Sequence, residues 1–171
     1  GIKRRRVDYN QHAIIANITT EKAHCGIAYE RFSESGPIAL LPLAPLGQEY
    51  RASLVWTVTS TEAAAMVNWT EPLLLEKLQQ NIGQRLGQIK TFGKRDVYPL
   101  SLSIVEEQIR PSLVLLGNAA HTIHPVAGQG MNLSLRDIEA LVFCIDRGLK
   151  KDLRINDFSI LQEYVMRRDD D

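Results

Sequence analysis

The sequence predicts a two-part chain of α+β or α/β class. A mainly antiparallel or mixed sheet with helices occupies residues 1–100, and a strand–loop–helix unit occupies residues 101–171. Three observations carry this expectation. β-branched runs with short connections fill the first part, as in strands joined by hairpins. Helix-spaced leucines begin only after Thr70. A compact apolar run ending in glycine, PSLVLLGN at 111–118, precedes a glycine-opened amphipathic segment.

YNQHAIIANITT (9–20) reads as a strand on its β-branched content, and GIAYERFSES (26–35) alternates Ile27, Tyr29 and Arg31 against Ala28, Glu30 and Phe32. GPIALLPLAPLG (36–47) is an apolar run whose Pro42 and Pro45 place it near a sheet edge or strand end. YRASLVWTVTS (50–60) is the clearest strand. Ser60 or Thr61 is expected to cap a short helix through TEAAAMV, and Thr70 a longer one through residue 87, with Leu74, Leu78, Ile82 and Leu86 on one face. DVYPLSLS (96–103) resumes an extended conformation, and 111–118 has the profile of a buried parallel strand. A helix then runs from near Gly130 to near Gly148, with Leu133, Ile138, Leu141, Val142 and Ile145 expected in the core. A final helix over 155–168 is capped by Asn156 or Asp157.

With 44% hydrophobic and 23% charged residues the composition is that of a soluble globular chain. Twenty basic residues balance twenty acidic ones, so charge leaves no footprint for nucleic acid. Arg4-Arg5-Arg6 is expected to be a solvated run. Cys25 and Cys144 have neither a disulfide-framework nor a zinc-ligand pattern, which fits reduced thiols in a cytoplasmic protein. No run reaches the ~18 apolar residues of a membrane span. The chain opens on Gly1 and its last stretch reads as a helix without a glycine or proline terminator, so it is expected to be a piece of a longer protein.

The stretch GNAAHTIHPVAGQGMN (117–132) carries the chemistry. A strand ending in Gly117, a loop and a helix opening at Gly128 and Gly130 would aim unpaired backbone N–H groups at an anionic or electron-rich ligand, and the bare glycines would admit a flat one. A tight turn needing glycine for geometry alone is the competing account. Asn132 either presents an amide to a ligand or caps the helix. His121 and His124 lack the further ligands of a metal site, with Asp137 well along the next helix, so no metal is expected. They are either acid–base groups or histidines bonded to the backbone of a tight loop.

Taken whole, LLGNAAHTIHPVAGQGMNLSLRD resembles the second flavin-binding motif of the FAD-dependent aromatic hydroxylases, the para-hydroxybenzoate hydroxylase group: Gly-Asp-Ala-Ala-His, His-Pro, Gly-Gln-Gly, Asn and a downstream Asp. YNQHAIIANI, YERFSESGPIALLPL, SLVWTV and GKRDVYPL resemble the ubiquinone-biosynthesis branch, in particular the bacterial 2-octaprenyl-6-methoxyphenol hydroxylases, over nearly the whole chain.

The resemblance implies a substrate-domain sheet over 1–100 and an incomplete, C-terminal segment of an FAD-binding domain over 101–171. Gly117 and Asn118 would meet the ribityl and pyrophosphate portion of FAD, and Pro125 would sit near the flavin face. Gly128, Gln129, Gly130, Met131 and Asn132 would line the pyrimidine edge. NAD(P)H would reduce the flavin, and O₂ would give a C4a-hydroperoxide that hydroxylates a polyprenylated phenol. Leu40, Leu41, Leu43 and Trp56 are candidates to line a channel for the prenyl tail, with plain core residues as the alternative.

Asn118 stands where the family usually has Asp, as in the ubiquinone C1-hydroxylase subgroup; an amide lacks the carboxylate's charge. The family's Gly-x-Gly-x-x-Gly and Asp-Gly motifs do not occur in these residues, so activity is expected of a longer parent and not of this chain alone. The resemblance also implies peripheral contact with the inner membrane and a ubiquinone-biosynthesis protein complex. A stand-alone module binding a prenyl or aromatic ligand, and an FAD-dependent reductase of isoprenoid lipids, are the other functions this sequence fits.

Overall fold

The structure, a computed structural model, describes residues 1–169, the side chain of Ala127 excepted. The described chain forms two compact units, Asn10–Leu100 and Gly1–Tyr9 together with the chain from Ser101 onward. Residues 1–9 thus cluster with the second unit and not with the first hundred residues. The reason is local: the first strand, β1 (Arg4–Thr20), is 17 residues long, and its opening third has its contacts in the second unit.

In the unit 10–100, β2 (Tyr29–Ser33), β3 (Gly36–Leu46), β4 (Glu49–Thr59) and β1 follow one another as antiparallel neighbours, and β5 (Ile89–Phe92) also pairs with β1. The register places Ile14 and Ile38 beside Trp56, and Ala16 and Leu40 beside Leu54. Successive strand residues point to opposite faces. One face therefore collects Ile14, Ala16, Ile18, Ile38, Leu40, Leu54, Trp56 and Val58. It packs on Ala63 and Met66 of α1 (Ser60–Met66) and on Leu74 and Leu78 of α2 (Glu71–Ile82). Pairing with β2 stops at Leu40, so Pro42 and Pro45 fall where β3 has β4 alone as a neighbour and a missing N–H breaks no ladder.

Helix boundaries differ from expectation in two places. Thr59, and neither Ser60 nor Thr61, caps α1: its Oγ1 accepts from Glu62 N (3.2 Å), while Glu62 Oε2 accepts from Thr59 N (2.9 Å). That is a capping box at Thr-x-x-Glu spacing. Helix α2 stops at Ile82 instead of reaching residue 87, because Gly83 turns the chain at φ 74°. Gln79 then holds the exit, donating to the Gly83 carbonyl (2.6 Å) and accepting from Ile89 N (2.9 Å). Thr70 occupies the α2 cap position without a side-chain hydrogen bond.

β6 (Asp96–Val105), whose residues from Ser101 on belong to the other unit, lies between β1 and the two-residue β9 (His121–Thr122). Arg4 and Arg6, expected to be merely solvated, reach β6: Arg4 Nη1 lies 3.5 Å from Ser103 Oγ, and Arg6 Nε donates to Ser101 Oγ at 3.2 Å. The anticipated buried parallel strand at 111–118 is instead β8 (Leu113–Val114), antiparallel to β7 (Ile109–Arg110). Ser112 at φ +60° closes this hairpin, and Gly117 at φ +53° opens a 3-10 turn, which leaves only two extended residues paired.

Two helices complete the unit, α3 (Gln129–Leu149) and α4 (Phe158–Arg168), the latter capped by Asp157, which accepts from Ser159 N. Ala140 and Cys144 of α3 pack on Ile160 and Tyr164 of α4. Ile138 and Val142, expected in this core, are 50% and 59% exposed. The buried stripe of α3 is Asp137, Ala140, Cys144 and Gly148, so the helix is turned away from the face its large side chains suggest. Small residues govern because α4 lies so close: a Cβ on Gly148 would stand 2.6 Å from Ile160 Cδ1.

Candidate flavin site

The run 117–132 folds as two 3-10 turns flanking β9, then the start of α3. Gly117 is buried, and its N–H donates to Asp137 Oδ2 at 2.9 Å. A Cβ there would meet Ser134 Oγ at 2.8 Å, so glycine is needed for close packing as well as for the left-handed backbone. Its N–H is committed within the chain, which leaves exposed Asn118 as the member of this turn open to a ligand. Arg4 Nη2 ties the turn to β1 by donating to the Ala119 carbonyl at 2.5 Å.

His121 Nε2 lies 2.8 Å from Asp137 Oδ2, and Arg168 Nε donates to Asp137 Oδ1 at 2.8 Å. Asp137 is 1% exposed. Burial opposes its charge, yet the Gly117 N–H, His121 and Arg168 together hold the carboxyl below its ordinary value. Beside it, burial first and the Asp137 charge second push Tyr164 up to about 12, and Gln108 donates to the Tyr164 hydroxyl at 2.9 Å. An ionised carboxylate only accepts, so His121 Nε2 is the donor in this contact. In sequence Asp137 lies well along the helix that follows the histidines. The available signal was its spacing, three and seven residues ahead of buried Ala140 and Cys144.

His124 is held differently. Its Nδ1 accepts from Val126 N at 3.2 Å, its ring meets Tyr9 edge-on at 5.2 Å between centroids, and burial lowers its pKa. The two histidines are therefore not a pair acting on one atom. No cluster of three metal-ligating groups occurs among the described residues.

Pro125, Gly128, Gln129, Met131 and Asn132 are brought together, all exposed, around the first turn of α3. Met131 is 72% exposed. Gly128 sits at the cap position with φ +61° and offers no side chain to the helix end. Asn132 Nδ2 lies 3.5 Å from Gln129 Oε1 and does not cap the helix. First-turn N–H groups and the positive end of a 21-residue helix thus face outward. A Cβ on Gly130 would meet only Ile123 Cγ1 at 4.0 Å, and one on Gly128 nothing within 4 Å. Packing within the chain does not require these two positions to be bare. The residues present fit the electron-rich edge of a flavin.

The four channel candidates are not brought together. Leu40 and Trp56 are 3% and 5% exposed in the core between sheet and helices, while Leu41 and Leu43 lie on the opposite face of the sheet. The strand period of two separates Leu40 from Leu41 and sets Leu40 and Trp56 in the core. Among the described residues no helix is long and apolar enough to cross a membrane.

The chain is 35% identical over 171 residues to "Ubiquinone hydroxylase UbiL" of Rhodospirillum rubrum, covering 99% of this chain and 39% of that protein. It is 30% identical over 168 residues to the 3-demethoxyubiquinol 3-hydroxylase of Escherichia coli, covering 98% of this chain and 42% of that one. It thus spans about two fifths of the length of these curated relatives. Among solved structures it resembles the flavin-dependent halogenase CmlS with a TM-score of 0.70 at 15% identity, covering 98% of this chain and 31% of that one, which shows a shared fold. A family profile described as "FAD binding domain" matches residues 6–168. The glycine-opened helix start and this match agree, and the chain belongs to the FAD binding domain family.

Proposed function

We propose that this chain supplies part of the flavin site and the substrate-side sheet of a monooxygenase that hydroxylates a polyprenylated phenol in ubiquinone biosynthesis. The observation that carries the reading is the open first turn of α3, where Gly128 and Gly130 leave room for a ring beside outward N–H groups. The hydroxylase names of the relatives above support the reaction and substrate class.

When bound, FAD supplies the redox chemistry, with NAD(P)H as reductant and O₂ as co-substrate. This chain's residues would bind and orient it. The α3 N-terminus stabilises negative charge on the pyrimidine edge. Asn118 and Gln129 offer side-chain amides, and Pro125 provides a rigid wall. Asp137 acts through Gly117 and His121 to hold the loop, and is a positioning residue.

For the substrate the face of the sheet opposite the helices in residues 10–100 is the better candidate. Ile15, Ala39 and Val55 are laterally paired there and half-buried, and Leu41 and Leu43 continue the same face. An apolar strip of this kind suits a prenyl tail. The substrate would bring the protein to the inner membrane as a peripheral protein on its cytoplasmic side, within a ubiquinone-biosynthesis complex.

The test is oxygen consumption by the full-length, flavin-loaded protein with NAD(P)H. A prenylated phenol should stimulate it well above the rate with the phenol lacking its tail. Equal rates with and without either phenol would reject the reading.

A further inference from the structure

A cavity of ≈ 260 Å³ opens in the unit 10–100 beside the edge strand β2 and the end of α2, on the helix-covered side of the sheet. It plays no part in the flavin reading. Its floor is apolar: Ile38, Leu40 and Leu86 are at most 4% exposed, and Ile82 closes one side. Its polar groups have a one-sided character. Arg31 and Arg85 stand exposed at the rim and Tyr29 flanks them, and none of the three has a side-chain hydrogen bond or ion pair among the described residues. Glu30 is the one carboxylate in the lining.

Unpaired guanidinium groups and a phenol hydroxyl are donors, and two cations near one another repel unless an anion lies between them. An apolar floor beneath such a rim matches a molecule with an anionic head and a short apolar body. The volume falls just under the ~300–1,000 Å³ of drug-sized pockets, so the apolar part is a chain end or a single ring. The fork of each guanidinium suits a carboxylate or phosphate oxygen pair, while a neutral or cationic amphiphile would leave both arginines unanswered.

We propose that this cavity is a binding site for an anionic amphiphile, its head held by Arg31 and Arg85 and its apolar end on Ile38, Leu40, Ile82 and Leu86. The site is independent of the flavin loop, and its failure would leave the proposed function untouched.

Octanoate is the probe, titrated calorimetrically into the full-length protein. Saturable one-site binding is expected, weakened at least tenfold in the double variant Arg31→Gln/Arg85→Gln, with no competition from 1-octanol or octylammonium. Both arginines are exposed, so this variant should keep its fold, and circular dichroism checks that. Phosphatidylglycerol vesicles present the same chemistry on a bilayer. Co-sedimentation that disappears in the double variant would make a lipid headgroup the source, and octanoate saturation without it a free acid. Absence of binding to both probes overturns the proposal, as does binding that the double variant leaves unchanged or that 1-octanol matches.

Discussion

His121 Nε2 and Asp137 Oδ2 lie 2.8 Å apart, joining the strand before the glycine-rich loop to the middle of the helix after it. Gly117 and Arg168 also donate to this carboxylate. Breaking such a buried set by removing the anion leaves the Arg168 cation and two N–H donors, of Gly117 and His121, without partners. Asp137→Ala should therefore cost on the order of 3–5 kcal/mol in urea unfolding, and Asp137→Asn, which keeps the shape, distinctly less. His121→Ala should cost about 1–3 kcal/mol, since an acceptor remains with two other donors. An unchanged urea midpoint for Asp137→Ala would remove the hub from this account. Neither His121→Ala nor His124→Ala should change metal content, and stoichiometric zinc or iron lost on substitution would contradict the assignment.

Acid should act in two separate windows. His124 has a folded-state pKa lowered by burial, so between that value and the ordinary ~6.5 the unfolded chain takes up a proton that the folded one does not. Stability present above ~6.5 is lost as pH falls below it, and His124→Gln should flatten that slope. Asp137 is also depressed, so its contribution is full above the ordinary carboxylate range near ~4 and is lost as pH falls further. Urea midpoints from pH 7 to 3, for the parent and each variant, measure both. A slope between pH 7 and 5 that His124→Gln leaves intact would assign it to another group.

Two glycines of the same loop should part company. Gly130→Ala meets only Ile123 Cγ1 at 4.0 Å and adds helix propensity, so the full-length protein should gain up to about 1 kcal/mol while losing flavin affinity. Gly130→Val should weaken flavin binding further. Gly117→Ala would place a Cβ 2.8 Å from Ser134 Oγ at φ +53°, and should lower stability with or without flavin. Thermal unfolding of apo and loaded protein, with flavin fluorescence titration, distinguishes them. Undiminished flavin content in Gly130→Val would displace the ring from this helix start.

Helix propensity should fail as a guide at Gly148. Alanine is the better helix former, but its Cβ would stand 2.6 Å from Ile160 Cδ1 and 2.7 Å from Cγ1. Gly148→Ala should cost about 1–3 kcal/mol through overpacking between α3 and α4. The pair Gly148→Ala/Ile160→Val should recover part of it. A single variant more stable than the parent would show that the helices can separate freely.

Strand identities in the first hundred residues were legible because β-branching, period-two alternation and the prolines act locally. Pro42 and Pro45 marked the stretch where β3 has one neighbour. The helix start after the loop was legible because glycines precede an apolar periodic run, whereas the flavin reading of 117–132 rests on the resemblance of the whole run to a family motif. What escaped depends on partners distant in sequence. The Thr59–Glu62 box competes with Ser60 and Thr61, which satisfy the same local rule, and backbone geometry chooses among them. The inward face of α3 is set by the close approach of α4 at Gly148, so Asp137 went inside while Ile138 and Val142 stayed out. Arg4 looked like one of a charged triplet until strand alternation aimed it at the Ala119 carbonyl.

Arg168 is the last helical residue of α4 and also a direct partner of Asp137, which lies about two helical turns after the ligand-facing first turn of α3. This sets a boundary for shortened versions of the protein. A shortened chain whose last residue lies anywhere from 137 to 167 would keep every residue of the glycine-rich motif yet lack the Arg168 cation that holds Asp137. Such a variant should lose loop order before it loses sheet content, so mapping the minimal flavin-binding segment by truncation would report a C-terminal limit far outside the motif itself.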